Sequence, residues 1–169
     1  MTIRPETADD VARVREINTL AFGQPAEAVL VDELRTNCGE ALSLVAEDDA
    51  VVGHILFTPV TIEDAGNPRV GMGLAPMAVH PERQRRGIGS QLVRRGLEIL
   101  RDRRCPFVVV VGHPEYYPRF GFEPASGRGL VSQWDAIPDE AFMVLVLDEP
   151  AMAGVSGVAR YRAEFDAAE

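Results

Sequence analysis

Between Leu74 and Leu100 the chain passes through three textures that leave little freedom in how it can fold. An apolar run, Leu74-Ala75-Pro76-Met77-Ala78-Val79, meets His80-Pro81, and a basic, glycine-bearing segment follows, Gln84-Arg85-Arg86-Gly87-Ile88-Gly89-Ser90. Beyond it, apolar residues recur at helical spacing, so the order reads strand, loop, helix. A helix starting at Gly87 or Ile88 leaves its first N–H groups without intrahelical acceptors, and that end of its dipole is positive. Such an end holds anions. Glycines at 87 and 89 remove side chains where a phosphate would lie against the backbone, and Arg83, Arg85 and Arg86 add charge around it. A plain helix start with a solvated basic edge would use the same residues. The flanking strand and helix favour the anion site.

Two familiar phosphate loops fail here. A P-loop needs Gly-Lys-Ser/Thr, and the chain has no lysine; a dinucleotide fingerprint needs a third small residue, where Gly87-Ile88-Gly89-Ser90-Gln91-Leu92 places leucine. The stretch from Met77 to Gly89 instead resembles the Q/R-x-x-G-x-G/A element of the GNAT acyltransferase superfamily, preceded by a strand ending Ala-Val-His-Pro. The resemblance extends over residues 3 to 147. It implies an α/β fold, a mixed central sheet with splayed central strands and flanking helices, and acetyl-coenzyme A as co-substrate. By the same resemblance Gln84, Arg85, Arg86, Gly87, Ile88, Gly89 and Ser90 hold the pyrophosphate, and Met77, Ala78 and Val79 pair with the pantetheine arm. The acetyl group then goes to a primary amine, on a small molecule or a peptide, by direct attack in a ternary complex. No metal is implied. A non-catalytic module that binds or senses acyl-coenzyme A is the alternative.

Composition sets outer limits. A chain of 169 residues, 46% of them hydrophobic, buries one ordinary core. We expect a GNAT domain over residues 1–148 and a C-terminal extension over 149–169, docked or partly disordered. A net charge of -9 argues against a nucleic-acid partner despite the arginines between 83 and 104. Two cysteines make no disulfide framework, and no segment approaches a membrane span in length, so a cytoplasmic setting is expected, with a homodimer left open.

In chain order, Thr2 to Pro5 suits an edge strand, and Thr7 with Asp10 resembles a capping box opening a helix with Val11, Val14, Ile17 and Ala21 on one face. Phe22-Gly23-Gln24-Pro25 stops it, and a second helix, Ala26 to Arg35, is expected to turn Val29, Leu30 and Leu34 inward. Leu42 to Glu47 and Val51 to Ile62 read as a hairpin, and a turn at Ala65-Gly66-Asn67-Pro68 leads to the strand Val70 to Val79. Pro76 cannot donate a ladder hydrogen bond, which implies a bulge or a parting of neighbours. In the family, the thioester arm enters there. The helix Gly87 to Arg104 turns Ile88, Leu92, Val93, Gly96, Ile99 and Leu100 to a sheet, with Gly96 permitting close approach. Phe107 to Val111 reads as a parallel strand covered on both faces. Glu123 to Glu140 is expected as a loop, in which Trp134 and Asp135 could contact the acceptor or Trp134 could fill a gap. Ala141 to Leu147 closes the sheet. The spacing of Val155, Val158, Tyr161 and Phe165 suits one or two docked helical turns, with a disordered tail as the alternative.

A second motif follows the parallel strand: Gly112-His113-Pro114-Glu115-Tyr116-Tyr117-Pro118-Arg119-Phe120-Gly121-Phe122. Tyr117 with Gly121-Phe122 matches a Tyr-x-x-x-Gly-Phe pattern of the family and is the candidate general acid for the departing thiolate. A buried aromatic packed against the sheet is the competing reading. The strand ending at Val79 carries no carboxylate base, so His113 and Glu115 are the nearest proton acceptors, and His113 is the candidate taken forward. His54 is expected as a surface or packing residue. The oxyanion donor would be a backbone N–H near Met77 or Ala78.

Overall fold

The computed structural model describes residues 1–64 and 67–168, and these gather into two units: 1–58 with 75–98 and 163–168, and the described residues of 59–74 with 99–162. Residues 65 and 66 of the expected turn lie outside the described residues.

In the first unit, strand β1 (Thr2–Pro5) is followed by a 3-10 turn and helix α1 (Val11–Phe22). The Asp10 carboxylate accepts from the Thr7 N–H at 2.7 Å and from its hydroxyl at 3.1 Å. Arg4 reaches the same carboxylate at 2.7 and 2.9 Å and holds it well below the usual carboxylate range. Helix α2 (Ala26–Asn37) follows, then β2 (Leu42–Glu47), β3 (Val51–Glu63) and β4 (Arg69–Val79). Strands β1, β2 and β3 pair antiparallel, with Leu44 opposite Ile55 and a bulge at Ala46/Glu47. Strand β3 passes into the second unit after Thr58, and β4 enters the first unit at Ala75.

Helix α3 (Ile88–Asp102) buries Ile88, Leu92, Val93, Gly96 and Leu97 within the first unit. Gly96 allows a close approach there: a Cβ would stand 2.5 Å from Phe57 Cζ, well inside contact distance. Two expectations fail in detail. Val29 is 51% exposed, because the inner arc of α2 is completed by Ala28 and Val31. Leu97 supplements the expected inner face of α3, one residue beyond Gly96.

In the second unit the register of β4 and β5 (Phe107–Val111) is parallel, from Met72 opposite Val108 to Leu74 opposite Val110. Beyond it lie β6 (Glu123–Pro124), β7 (Leu130–Ser132), β8 (Phe142–Val146), the short helix α4 (Glu149–Met152) and β9 (Gly157–Arg160). Strand β8 pairs antiparallel with both β5 and β6. The expected 123–140 loop therefore contains two short strands. The helical spacing expected over Val155, Val158, Tyr161 and Phe165 holds only at its end, where Ala163–Ala168 form a 3-10 helix with Phe165 buried; 157–160 are extended instead, and β9 pairs antiparallel with Thr61–Glu63 of β3 and parallel with β7. Edge backbone groups of β3 are satisfied that way, which outweighs a weak helical period. One apolar cluster, including Val60, Ile62, Phe107, Val109, Leu130, Phe142 and Val144, forms the core of this unit. Among the described residues no helix is long and apolar enough to cross a membrane.

Candidate active site

The end of β4 is fixed before the loop begins. The His80 N–H donates to Val52 O at 2.8 Å, and its Nδ1 accepts from the Glu82 N–H at 3.1 Å, closing the turn over Pro81–Arg83. Arg83 spans to the β2–β3 turn, with 3.1 Å contacts to Asp48 and Asp49, so this arginine is neutralised locally. The Gln84 side-chain amide donates to Val79 O at 3.0 Å and ties the loop to the strand it leaves. Val79 thus has one carbonyl lone pair engaged within the protein.

The loop itself is open. Residues 84–87 are exposed, Ile88 is buried and pins the helix start, and Gly89 and Ser90 are half-buried. Arg85 and Gly87 both take left-handed backbone conformations, φ 64° and 81°, the first an uncommon state for a residue with a Cβ. Left-handed residues interleaved in a turn aim backbone N–H groups into a concavity that suits anions. The Gln91 N–H donates to Gly87 O at 3.1 Å, so the N–H groups of Ile88 and Gly89 lie ahead of the first intrahelical donor. A Cβ at Gly87 would meet nothing within 4 Å. Among the described residues neither Arg85 nor Arg86 has an acidic partner. The set fits a diphosphate: outward amides, open space and two cations. Of the strand residues expected beside a pantetheine arm, Ala78 is buried and Met77 and Val79 are half-buried.

In the second unit, β5 ends at Val111 and the chain turns through His113 into a 3-10 helix, Tyr117–Phe120. Tyr117 is 7% exposed; its ring meets Phe122 edge-on at 5.7 Å and Tyr116 at 5.0 Å. Burial, with a smaller contribution from Tyr116, pushes its phenol up to about 12. The group is a proton holder throughout the neutral range. His113 is exposed, and its carbonyl accepts from the Tyr116 N–H at 3.0 Å, which shapes the turn and leaves the ring outward. Arg119 stacks over Tyr116, 4.5 Å from the ring centre, and donates to the Tyr116 carbonyl at 2.9 Å.

Sequence reasoning missed a buried polar chain in the first unit. His54 is fully buried, not at the surface. The Asn18 amide donates to Val14 O at 3.0 Å, which identifies Nδ2, and the same nitrogen lies 3.2 Å from His54 Nδ1. Nδ1 must therefore accept, and Nε2–H donates to Ser43 Oγ at 2.9 Å. Desolvation first, and the Arg35 charge second, bring His54 down to about 3. Glu6 Oε2 lies 3.9 Å from Nε2, but Arg35 holds that carboxylate at 2.9 and 3.0 Å. The ring is neutral. Resembling a nucleophile relay in composition, the chain runs its donors the wrong way for one, because the imidazole gives its proton to the serine. Helical spacing flagged Val14 and Ile17, and Asn18 beside them was the available signal. Among the described residues no group of three or more His, Cys, Asp or Glu is placed to hold a metal ion.

Comparison with known proteins gives a consistent result. A family model described as an acetyltransferase (GNAT) domain matches residues 2–125. The chain is 46% identical over 135 residues to the uncharacterized N-acetyltransferase YjhQ of Escherichia coli K12, covering 78% of this chain and 74% of that one. Among solved structures it resembles the GNAT family N-acetyltransferase YhbS from Escherichia coli in complex with CoA, with a TM-score of 0.90 and 35% identity, covering 98% of this chain and 91% of that one. It also resembles a GNAT family acetyltransferase from Brucella melitensis in complex with acetyl-CoA, with a TM-score of 0.79 and 36% identity, covering 98% and 97%.

Proposed function

The chain belongs to the GNAT acetyltransferase family and is an acetyl-CoA dependent N-acetyltransferase, and from that premise we propose that it acetylates a primary amine by direct attack in a ternary complex. The observation that carries the proposal is the exposed 84–87 turn with its left-handed Arg85 and Gly87, opening onto the start of α3. Gln84 to Ser90 bind the pyrophosphate, Arg85 and Arg86 supplying charge and the backbone of Ile88 and Gly89 supplying donors. Met77, Ala78 and Val79 line the pantetheine arm.

Acetyl-CoA supplies an activated thioester. An alkylammonium of pKa ~10 is neutral in only about one molecule in a thousand at pH 7, so a proton must leave before attack. His113, exposed at the end of β5, accepts it directly or through water. The amine nitrogen bonds to the carbonyl carbon, and a backbone N–H near Met77 or Ala78 stabilises the developing oxyanion. As the C–S bond breaks, Tyr117 passes its phenolic proton to the sulfur, and the second proton shed by the attacking nitrogen returns the phenol to its neutral form through solvent. The desolvation that keeps the phenol neutral also disfavours a bare thiolate, so bond cleavage and proton transfer proceed together.

The test is a primary-amine panel incubated with acetyl-CoA, reading free thiol and N-acetylated amine in equal amounts. Absence of thiol release with every amine would overturn the transfer reading. Gly89→Glu places a side chain and a negative charge against the phosphates and should abolish acetyl-CoA binding in calorimetry; undiminished affinity would remove the pyrophosphate from this loop.

A further inference from the structure

The 84–87 turn keeps a costly backbone without being packed. Arg85 and Gly87 are left-handed, at φ 64° and 81°, and for Arg85 the Cβ makes that state unfavourable. Such strain persists only where the surroundings impose it. Residues 84–87 are exposed, and among the described residues neither Arg85 nor Arg86 has an acidic partner, so neither packing nor ion pairing along the turn supplies the constraint. Its two ends must supply it.

One end is set by Ile88, buried at the start of α3. The other is set by the β2–β3 hairpin, in two places. Val52 O accepts the His80 N–H at 2.8 Å, and three residues later Arg83 reaches back to the hairpin turn, Nη1 to Asp48 Oδ2 and Nη2 to Asp49 Oδ1, each at 3.1 Å. The Arg83 N–H donates to His80 O at 2.8 Å, so the 3-10 turn Pro81–Arg83 is closed on itself and pinned at both ends to the same support. That support is braced in turn: the Asp48 N–H donates to Ala50 O at 2.9 Å, and Glu47 stands opposite Val51 in the ladder. Gln84 then ties to Val79 O at 3.0 Å, and the left-handed residues begin at the next position.

The charges oppose a direct binding role for this group. Arg83 carries one positive charge and its two aspartate partners two negative ones, which leaves the cluster anionic beside a turn assigned to phosphates. Arg83 first, and then the N–H groups of Asp49 and Ala50, hold the Asp49 carboxyl below the usual carboxylate range, so it stays charged at neutral pH. By charge alone, such carboxylates repel a polyanion. Their use is to place the turn, with the planar guanidinium fork spanning both of them.

We infer that Asp48 and Asp49, acting through Arg83, are positioning residues that hold the 84–87 turn ready for the acetyl-CoA pyrophosphate. The inference rests on the pyrophosphate reading above. It adds two residues that lie 35 and 34 positions before Arg83 in the chain and outside the phosphate motif.

The sign of the effect separates position from charge. Acetyl-CoA affinity is read by calorimetry at 0.15 M salt, where the Debye length is about 8 Å. The double variant Asp48→Asn, Asp49→Asn removes two negative charges and Arg83→Gln removes a positive one, so charge alone would move the two affinities in opposite directions. Positioning predicts that both fall, roughly fivefold, the scale of a strong exposed ion pair. Because the three side chains act as one unit, the triple variant should lose no more than either alone. The unfolding midpoint of the free protein should stay where it is in all three. Affinities that shift in opposite directions, an unchanged affinity in either variant, losses that multiply to roughly 25-fold in the triple variant, or a matching drop in the unfolding midpoint would each overturn the proposal. Variants that bind as the natural protein does, while Gly89→Glu does not bind, would sink this inference alone. Natural protein that fails to bind acetyl-CoA, or Gly89→Glu that binds it undiminished, would sink the pyrophosphate reading and this inference with it.

Discussion

Acidification should destabilise this protein through one buried imidazole. His54 is buried, neutral and depressed to about 3, whereas the unfolded chain presents a histidine near ~6.5. Its folded value is lower, so the contribution to stability is complete above pH 6.5 and is lost as pH falls from there toward 3. Linkage makes the loss approach about 1.4 kcal/mol per pH unit, which integrates to about 2.5 kcal/mol between pH 7.5 and 4.5. Ordinary carboxylates, near ~4, begin to titrate at the acid end of that window, but they do so alike with and without the histidine, so a comparison of the two isolates its share. The measurement is urea unfolding at half-unit intervals of pH, for the natural sequence and for His54→Gln, whose amide can still donate to Ser43 Oγ. The difference between the two curves should close by about 2.5 kcal/mol over the window as the natural protein weakens. Parallel curves would refute the reasoning and mean that a proton enters the folded state, with Asn18 rotating to accept from it.

Three further outcomes follow from the geometry. Tyr117→Phe should lower kcat about 100-fold, with little change in acetyl-CoA affinity by calorimetry, and unchanged turnover with chemistry rate-limiting would remove the acid role. Because burial raises Tyr117 to about 12, its neutral form favours the fold fully below pH 10 and that contribution fades only as pH climbs through 10 to 12; turnover should accordingly show no alkaline fall between pH 8 and 10. Gly96→Ala adds a methyl that would press on Phe57, costing about 1–3 kcal/mol by overpacking against about 1 kcal/mol gained in helix propensity, so denaturant titration should show a modest net loss.

The open 84–87 turn to which we assign the phosphates was legible as a loop because its signal is local. Strand, glycines and arginines lie within sixteen residues, and backbone geometry at Arg85 and Gly87 needs no distant partner. Gly96 was legible for a similar reason, since a glycine inside an amphipathic helix signals close approach. What escaped depends on pairing across long separations. Strand β9 reads as a weak helical period until Thr61–Glu63 supplies its ladder partner, nearly a hundred residues earlier in the chain. His54 lies in a run of buried β3 residues where nothing local marks it; its state is decided by Asn18 and Ser43, from a helix and a neighbouring strand. Val29 failed for a third reason, because helical phase alone does not say how wide a buried arc will be. Arg83 was grouped with the phosphate-binding arginines by proximity in sequence, but two aspartates of the hairpin turn claim it.

The closing strand has a practical corollary for anyone tagging or shortening this enzyme. Gly157–Arg160 hydrogen-bonds to β3 on one side and β7 on the other, and Phe165 beyond it is buried. Deleting everything after residue 148 would bare two ladders of amides and carbonyls at once, a sticky surface of the kind that recruits a neighbouring molecule's strand. Such a shortened protein is expected to precipitate or associate even if its catalytic residues are all retained.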